Sequence, residues 1–146
     1  MDQYIEFLSN HYLLSLALIV VTYMLLQDLA ENTFNKFEAL SPLLAVTKMN
    51  SADTIIIDVR DAHEYIKGHI ENAINVPLSK LSDQIDTLEQ YKKQTIIVVC
   101  QTGTRSLPAC KTLTKANFEN VFNILGGMQS WEDNKFPIKI SGKKNS

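Results

Sequence analysis

The β-branched run Thr95-Ile96-Ile97-Val98-Val99 leads directly into the polar stretch Cys100-Gln101-Thr102-Gly103-Thr104-Arg105. An apolar run of this length is too short for a helix and reads as a strand covered on both faces, the kind that parallel sheets use. The polar stretch has the form of a strand-to-helix turn, and in open α/β sheets ligands sit just outside the carboxyl ends of the strands. Unpaired N–H groups in such a loop and in the first helical turn favour negative charge. A cysteine placed there is pushed toward its nucleophilic thiolate form, and Arg105 offers a permanent charge with forked donors for an oxyanion. A cysteine closing an apolar strand is, however, often buried and inert, so the loop alone leaves both readings open.

The flanking segments alternate between strand and helix. Asp53 to Arg60 reads as a buried strand ending in charge, and Asp61 to Lys67 as a short helix closed by Gly68. Ile70 to Pro77 reads as a short strand. Ser79 to Tyr91 reads as an amphipathic helix with Leu81, Ile85 and Leu88 on one face. Ser106 to Ala116 forms the helix after the cysteine loop, with Pro108 tolerated in its first turn, and Val121 to Leu125 forms a further strand before Gly126-Gly127. Earlier in the chain, Ser41-Pro42 has the form of an N-cap followed by proline at the first helical position. Strands alternating with helices predict one α/β domain of three layers around a mostly parallel sheet.

Tyr12 to Leu29 is uncharged until Asp28 and apolar all round apart from Ser15 and Thr22. As a helix it would be about 27 Å long, close to the hydrocarbon thickness of a bilayer. Asp2 and Glu6, with no Lys or Arg before the span, argue against a cleaved signal peptide. The expected organisation is a short tail over 1–11, a transmembrane helix over 12–29, a polar linker over 30–37, the domain over 38–140 and a flexible tail over 141–146. All 14 Lys and Arg residues come after the span, with Lys36 and Lys48 near it, so the positive-inside rule leans toward a cytoplasmic domain, at the inner membrane if the chain is bacterial. A net charge of −2 gives no footprint for nucleic acid. Two cysteines and three scattered histidines form neither a disulfide framework nor a metal pattern.

Asp58-Val59-Arg60, with Glu64-Tyr65 and Gly68-His69-Ile70-Glu71-Asn72-Ala73 through Val76-Pro77, resembles the first signature of the rhodanese (sulfurtransferase) domain family. Cys100 to Ser106 resembles the second signature, and Leu125-Gly126-Gly127-Met128 with Trp131 a third, in order over residues 38–138. Asn72 stands where the family often has glycine, and asparagine tolerates a positive φ. The anchor falls outside the resemblance, although single-domain members with one N-terminal membrane helix form a familiar subgroup. The resemblance implies transfer of sulfane sulfur from a donor such as thiosulfate through a Cys100 persulfide to cyanide or a thiol acceptor, with no metal or organic cofactor. It implies that Cys100 and Arg105 are catalytic and that Gln101, Thr102, Gly103, Thr104 and Arg105 bind substrate, their backbone N–H groups holding the persulfide.

Asp58 and Arg60 are candidates for supporting the loop, against a structural reading in which Arg60 pairs with Glu64. His69 is expected to be a hydrogen-bonded turn residue and Trp131 a packing residue. Cys110, sharing a helix face with Leu107 and Leu113, is expected to be core, the alternative being a resolving thiol for Cys100. Three rival functions stand beside the enzyme reading. They are a rhodanese-like docking module with little turnover, a membrane-tethered sulfur carrier whose acceptor is a protein, and a cysteine-dependent phosphatase. The last is disfavoured by four rather than five residues between Cys100 and Arg105.

Overall fold

The structure, a computed structural model, describes residues 11–33, 37–51 and 53–141. The expected tails over 1–11 and 141–146, apart from His11 and Ser141, lie outside the described residues, as do positions 34–36 of the expected linker. The chain divides into two compact units, one carrying the first helix and the other everything from the first strand onward.

Helix α1 spans Tyr12–Thr33, 22 residues, and continues past Leu29 through residues expected to begin the linker. Ala30 is a good helix former, and the sequence has no glycine or proline between it and Ser41 to stop the helix. Within α1, Tyr12–Ala30 is long and apolar enough to cross a membrane by length and composition, and none of it is buried. Two hydroxyls that interrupt the apolar surface turn back on the helix: Ser15 Oγ donates to the His11 carbonyl at 3.2 Å and Thr22 Oγ1 to the Leu18 carbonyl at 2.7 Å. This is how such groups are satisfied where no water is at hand.

In the second unit the elements run as β1 (Phe37–Leu40), α2 (Pro42–Met49), β2 (Thr54–Asp58), α3 (Ala62–Lys67) and β3 (Ile74–Asn75). After these come α4 (Leu78–Gln84), a 3-10 helix (Ile85–Tyr91), β4 (Thr95–Val99), α5 (Ser106–Lys115), β5 (Asn120–Ile124) and α6 (Gly127–Asp133). Among the described residues the five strands form one sheet in the order β1-β5-β4-β2-β3, and every pairing is parallel. The α/β class and the central parallel sheet are as the alternating pattern predicts.

Three elements differ from expectation. Strand β1 occupies Phe37–Leu40, at the boundary assigned to the linker, and pairs with β5 at the sheet edge. Strand β3 is cut to two residues, because Ile70 to Ala73 is used in a turn in which Asn72 takes φ 63°. The expected helix over Ser79 to Tyr91 splits at Ile85 into α4 and the 3-10 helix, while still burying Leu81 and Leu88. The Ser41 cap forms as expected, its Oγ accepting from the Leu44 N–H at 3.4 Å.

Alternation along β4 feeds two apolar layers. Ile96, Val98 and then Cys100 face the layer shared with Leu81, Ala109, Cys110 and Leu113. Ile97 and Val99 face the one holding Ala45, Met128 and Trp131. Beyond β2 the chain proceeds outward to β3, and beyond β4 it turns the other way to β5. Since β2 and β4 are neighbours, the sheet reverses its winding between their carboxyl ends, which is the crevice such folds use for ligands.

Candidate active site

Two loops meet at that crevice: residues 59–61 after β2 and residues 100–105 after β4. Gln101 to Thr104 carry the turn and Gly103 lies at φ +89°, where a Cβ would approach the Gly126 nitrogen to 3.2 Å. The Gly103 N–H donates to Cys100 Sγ at 3.1 Å. The thiol donates to Ser106 Oγ at 3.4 Å, and Ser106 in turn donates to the Gly103 carbonyl at 3.0 Å. The sulfur is thus enclosed in a small polar ring at the start of α5.

The loop owes its shape to α6. Met128 N–H donates to the Cys100 carbonyl at 2.7 Å and Gln129 N–H to the Gln101 carbonyl at 3.0 Å. In a trans peptide the N–H points opposite the C=O of the same unit, so the amides of Gln101 and Thr102 are turned away from α6. Gly127, at φ +57°, permits this approach, because a Cβ there would collide with the Cys100 carbonyl. The third signature therefore acts by positioning the second.

Cys100 is fully covered, with its side chain toward the apolar layer beneath α5. In the loop that follows it, Thr102 and Thr104 are exposed. A donor reaches the sulfur only after the loop or the side chain shifts. Cys110 is also fully buried, in contact with the Phe122 carbonyl at 3.9 Å, and burial first, then the Cys100 charge, push its thiol up to about 12. It behaves as a core residue, alongside Ala109 and Leu113; Leu107, expected on the same face, is exposed instead because the buried stripe runs through Ser106, Ala109, Cys110 and Leu113 and Leu107 lies to one side of it.

Arg60 does not pair with Glu64. Its side chain is buried against Asp58, with Nη2 to Oδ2 at 2.7 Å, Nε to both carboxylate oxygens, and Nη2 also to the Gly68 carbonyl at 2.7 Å. Its remaining nitrogen, Nη1, donates to Gln101 Oε1 at 3.1 Å, tying the β2 loop to the cysteine loop. Arg60 precedes the cap of α3 rather than lying in the helix, so four-residue spacing does not bring it over Glu64. Asn75 Nδ2 holds the same loop from beneath, donating to the carbonyls of Asp58 at 3.1 Å and Arg60 at 2.9 Å.

Glu64 instead takes Arg105. Both guanidinium Nη atoms donate to its carboxylate at 2.8 Å, and Asp61 Oδ2 lies 4.0 Å from Nη1. The Arg105 contact, outweighing partial burial, holds the Glu64 carboxyl down to about 2. Arg105 is raised, first by Glu64, with the Cys100 charge among the lesser causes. The fork that the sequence suggests for an incoming oxyanion is occupied by a side chain from α3. Glu64 and Ser106 are the contributors to the site that sequence reasoning missed as functional.

A cavity of about 360 Å³ adjoins the loop, lined by Arg60, Glu64, Lys67, Gln101, Glu132 and Ile138. His69 is a turn residue: Nδ1 meets the Tyr65 carbonyl at 2.8 Å, its ring stacks on Tyr65 at 3.7 Å, and its backbone pairs with Lys139. Trp131 packs in the second layer and donates to the Pro137 carbonyl at 3.0 Å. Among the described residues no cluster of three or more His, Cys, Asp or Glu could hold a metal ion.

The parallel sheet, with a cysteine closing its central strand and a loop held by the helix after the glycine pair, is the architecture of the rhodanese-like class of α/β domains. The profile of the rhodanese-like domain matches residues 41–134, and the chain belongs to that family. It is 28% identical over 144 residues to the uncharacterised protein YibN of Escherichia coli K12, covering 98% of this chain and all of that one. It is 33% identical over 85 residues to a putative sulfur carrier protein, YrkF, of Bacillus subtilis, covering 58% of this chain and 45% of that protein. A rhodanese-related protein from Thermoplasma volcanium superposes with a TM-score of 0.65 at 28% identity, over 71% of this chain and 99% of its own.

Proposed function

We propose that the domain is a sulfurtransferase that moves sulfane sulfur through a persulfide on Cys100, held at a membrane by α1. The observation that carries this reading is the Gly103 N–H aimed at Cys100 Sγ from 3.1 Å, in a loop fixed by α6 at the reversal point of the sheet. A backbone donor held beside the sulfur stabilises negative charge on it. In the first half-reaction the Cys100 thiolate attacks the outer sulfur of a donor such as thiosulfate. The new S–S bond forms as the donor's S–S bond breaks, and sulfite departs with the electron pair. In the second, cyanide or a thiolate takes the outer sulfur and the Cys100 thiolate returns, a two-step route with ping-pong kinetics. The amides of Gln101, Thr102 and Gly103 would hold the outer sulfur, with Thr104 closing the loop. Arg105, Arg60 and Asp58 would keep that loop in register.

A second reading, a sulfur carrier whose acceptor is another protein, is favoured by the likeness to the Bacillus subtilis protein named for that role. The two share the loading step and part at the acceptor. The α1 length and composition support a single-pass anchor, and the charge distribution supports a cytoplasmic domain. Incubation with thiosulfate should add the mass of one sulfur atom at Cys100, cyanide should remove it, and Cys100→Ser should abolish both. Thiosulfate:cyanide turnover that survives in Cys100→Ser would overturn the enzyme reading. A carrier would load but turn over only with its protein acceptor present.

A further inference from the structure

We propose that Glu64 decides which sulfur donor reaches Cys100: by occupying Arg105 and lining the adjoining cavity, it favours organic persulfides of low charge over inorganic dianions such as thiosulfate. This rests on the sulfurtransferase reading and names the donor class for that same site.

Both guanidinium groups beside the cysteine loop already have an acidic partner. Arg60 is spent on Asp58, and Arg105 on Glu64 with Asp61 close behind. Lys67 shares the lining of the cavity with Glu132 and Glu64. A site meant to gather a small dianion would leave a guanidinium fork open, since paired N–H groups on a plane are what bind an oxyanion. Here both Nη atoms of Arg105 are engaged, so thiosulfate must either displace a carboxylate or enter beside it. Glu64 lies on the wall of the cavity beside the loop, and removing one like charge from such a wall changes the relative affinity for a dianion by about tenfold, an effect that salt screens.

A persulfide R–S–SH meets no such obstacle. The Cys100 thiolate attacks its outer sulfur, the donor's S–S bond breaks, the electron pair leaves on R–S⁻, and Cys100 carries –S–SH. With thiosulfate the same attack expels sulfite, so two negative charges must enter and leave past Glu64. The mixed-charge cavity suits a zwitterionic group such as the amino acid portion of cysteine persulfide.

The test compares kcat/KM for thiosulfate and for cysteine persulfide in the full-length protein, with Glu64→Gln and Glu64→Asp. Glu64→Gln should raise the thiosulfate-to-persulfide ratio about tenfold, mainly through a lower KM for thiosulfate, whereas Glu64→Asp should stay near the original ratio. In the unaltered protein, kcat/KM for thiosulfate should rise with ionic strength as repulsion is screened, a readout that does not depend on any variant folding. A ratio that is unchanged or lower in Glu64→Gln, or a thiosulfate rate that falls with salt, would overturn the inference while leaving the sulfurtransferase reading standing. If neither donor loaded Cys100 in the unaltered protein, both the inference and the sulfurtransferase reading would fall.

Discussion

The sulfur's first neighbours set the sharpest expectations at the scale of single residues. Ser106 Oγ accepts from the Cys100 thiol at 3.4 Å and is fully buried, so once the sulfur is ionised this hydroxyl can turn and donate to it. A hydrogen bond to a charged group is worth about 1.5–3 kcal/mol, so Ser106→Ala should slow alkylation of Cys100 at neutral pH by about tenfold or more. An iodoacetamide time course read by mass spectrometry measures it, and an unchanged rate would mean that Ser106 only supports the loop through Gly103. Cys110 should behave oppositely to Cys100. Buried under α5 and pushed up to about 12, it should resist alkylation until the domain unfolds, whereas Cys100 needs only its exposed loop to open. Thiol counting in buffer and then in guanidinium should give one and then two reactive groups. Gly127→Ala attacks the site from beyond it: a Cβ must collide with the Cys100 carbonyl at a backbone φ of +57°. Such a change should cost about 2–4 kcal/mol and suppress persulfide loading, as measured by denaturant unfolding and by mass.

Between elements, the decisive link is the one from α3 to the cysteine loop through Glu64 and Arg105. The folded carboxyl lies near 2 against an ordinary 4.5, so the stability it contributes is present above pH 4.5 and is lost as the pH falls toward 2. Because the pair is partly exposed, its worth is at most about 1 kcal/mol. Glu64→Gln should therefore be less stable at pH 7, and the gap should close near pH 2, in urea titrations at the two values. Sequence reading stops where such links begin. Strands β2 and β4 were legible because both faces are covered and their runs are continuously apolar. Strand β1 was not: at the sheet edge Glu38 and Ala39 are exposed, so Phe37–Leu40 carries too little pattern to stand apart from a linker. Leu81, Ile85 and Leu88 announced an amphipathic stretch, but their spacing does not distinguish an α-helix from one that tightens to 3-10. Within the site, Cys100 to Arg105 could be read because the motif is contiguous. The Gln101 partner of Arg60 and the Glu64 partner of Arg105 could not, because each lies 41 residues away along the chain.

Taken whole, the chain joins a domain with a closed apolar interior to a helix with an open apolar exterior. Leu81, Ile96, Ile97, Leu113 and Met128 have at most 1% of their surface exposed, and the domain draws its stability from within. Along α1 the balance is reversed: Leu13, Leu14, Leu18, Ile19 and Leu26 are each at least 60% exposed. A soluble chain rarely leaves so large a contiguous apolar surface to water. Between Tyr12 and Leu26 the only polar side-chain groups are hydroxyls, and those of Ser15 and Thr22 are bonded to the helix itself. A bilayer is the solvent that removes this surface from water at no cost in unsatisfied backbone groups, since an α-helix bonds its own. The unit that begins after Asn35 is compact without it. A chain of residues 36–146 should therefore remain in the supernatant after ultracentrifugation without detergent, unfold in a single cooperative transition and still take sulfur onto Cys100. The full-length protein should sediment with membranes and resist extraction by high salt or alkaline carbonate, which strip surface-bound proteins. Full-length protein found in the soluble fraction would remove the anchor from the reading and leave the chemistry at Cys100 untouched. If residues 36–146 failed to fold, α1 would have to serve the domain as well as the membrane.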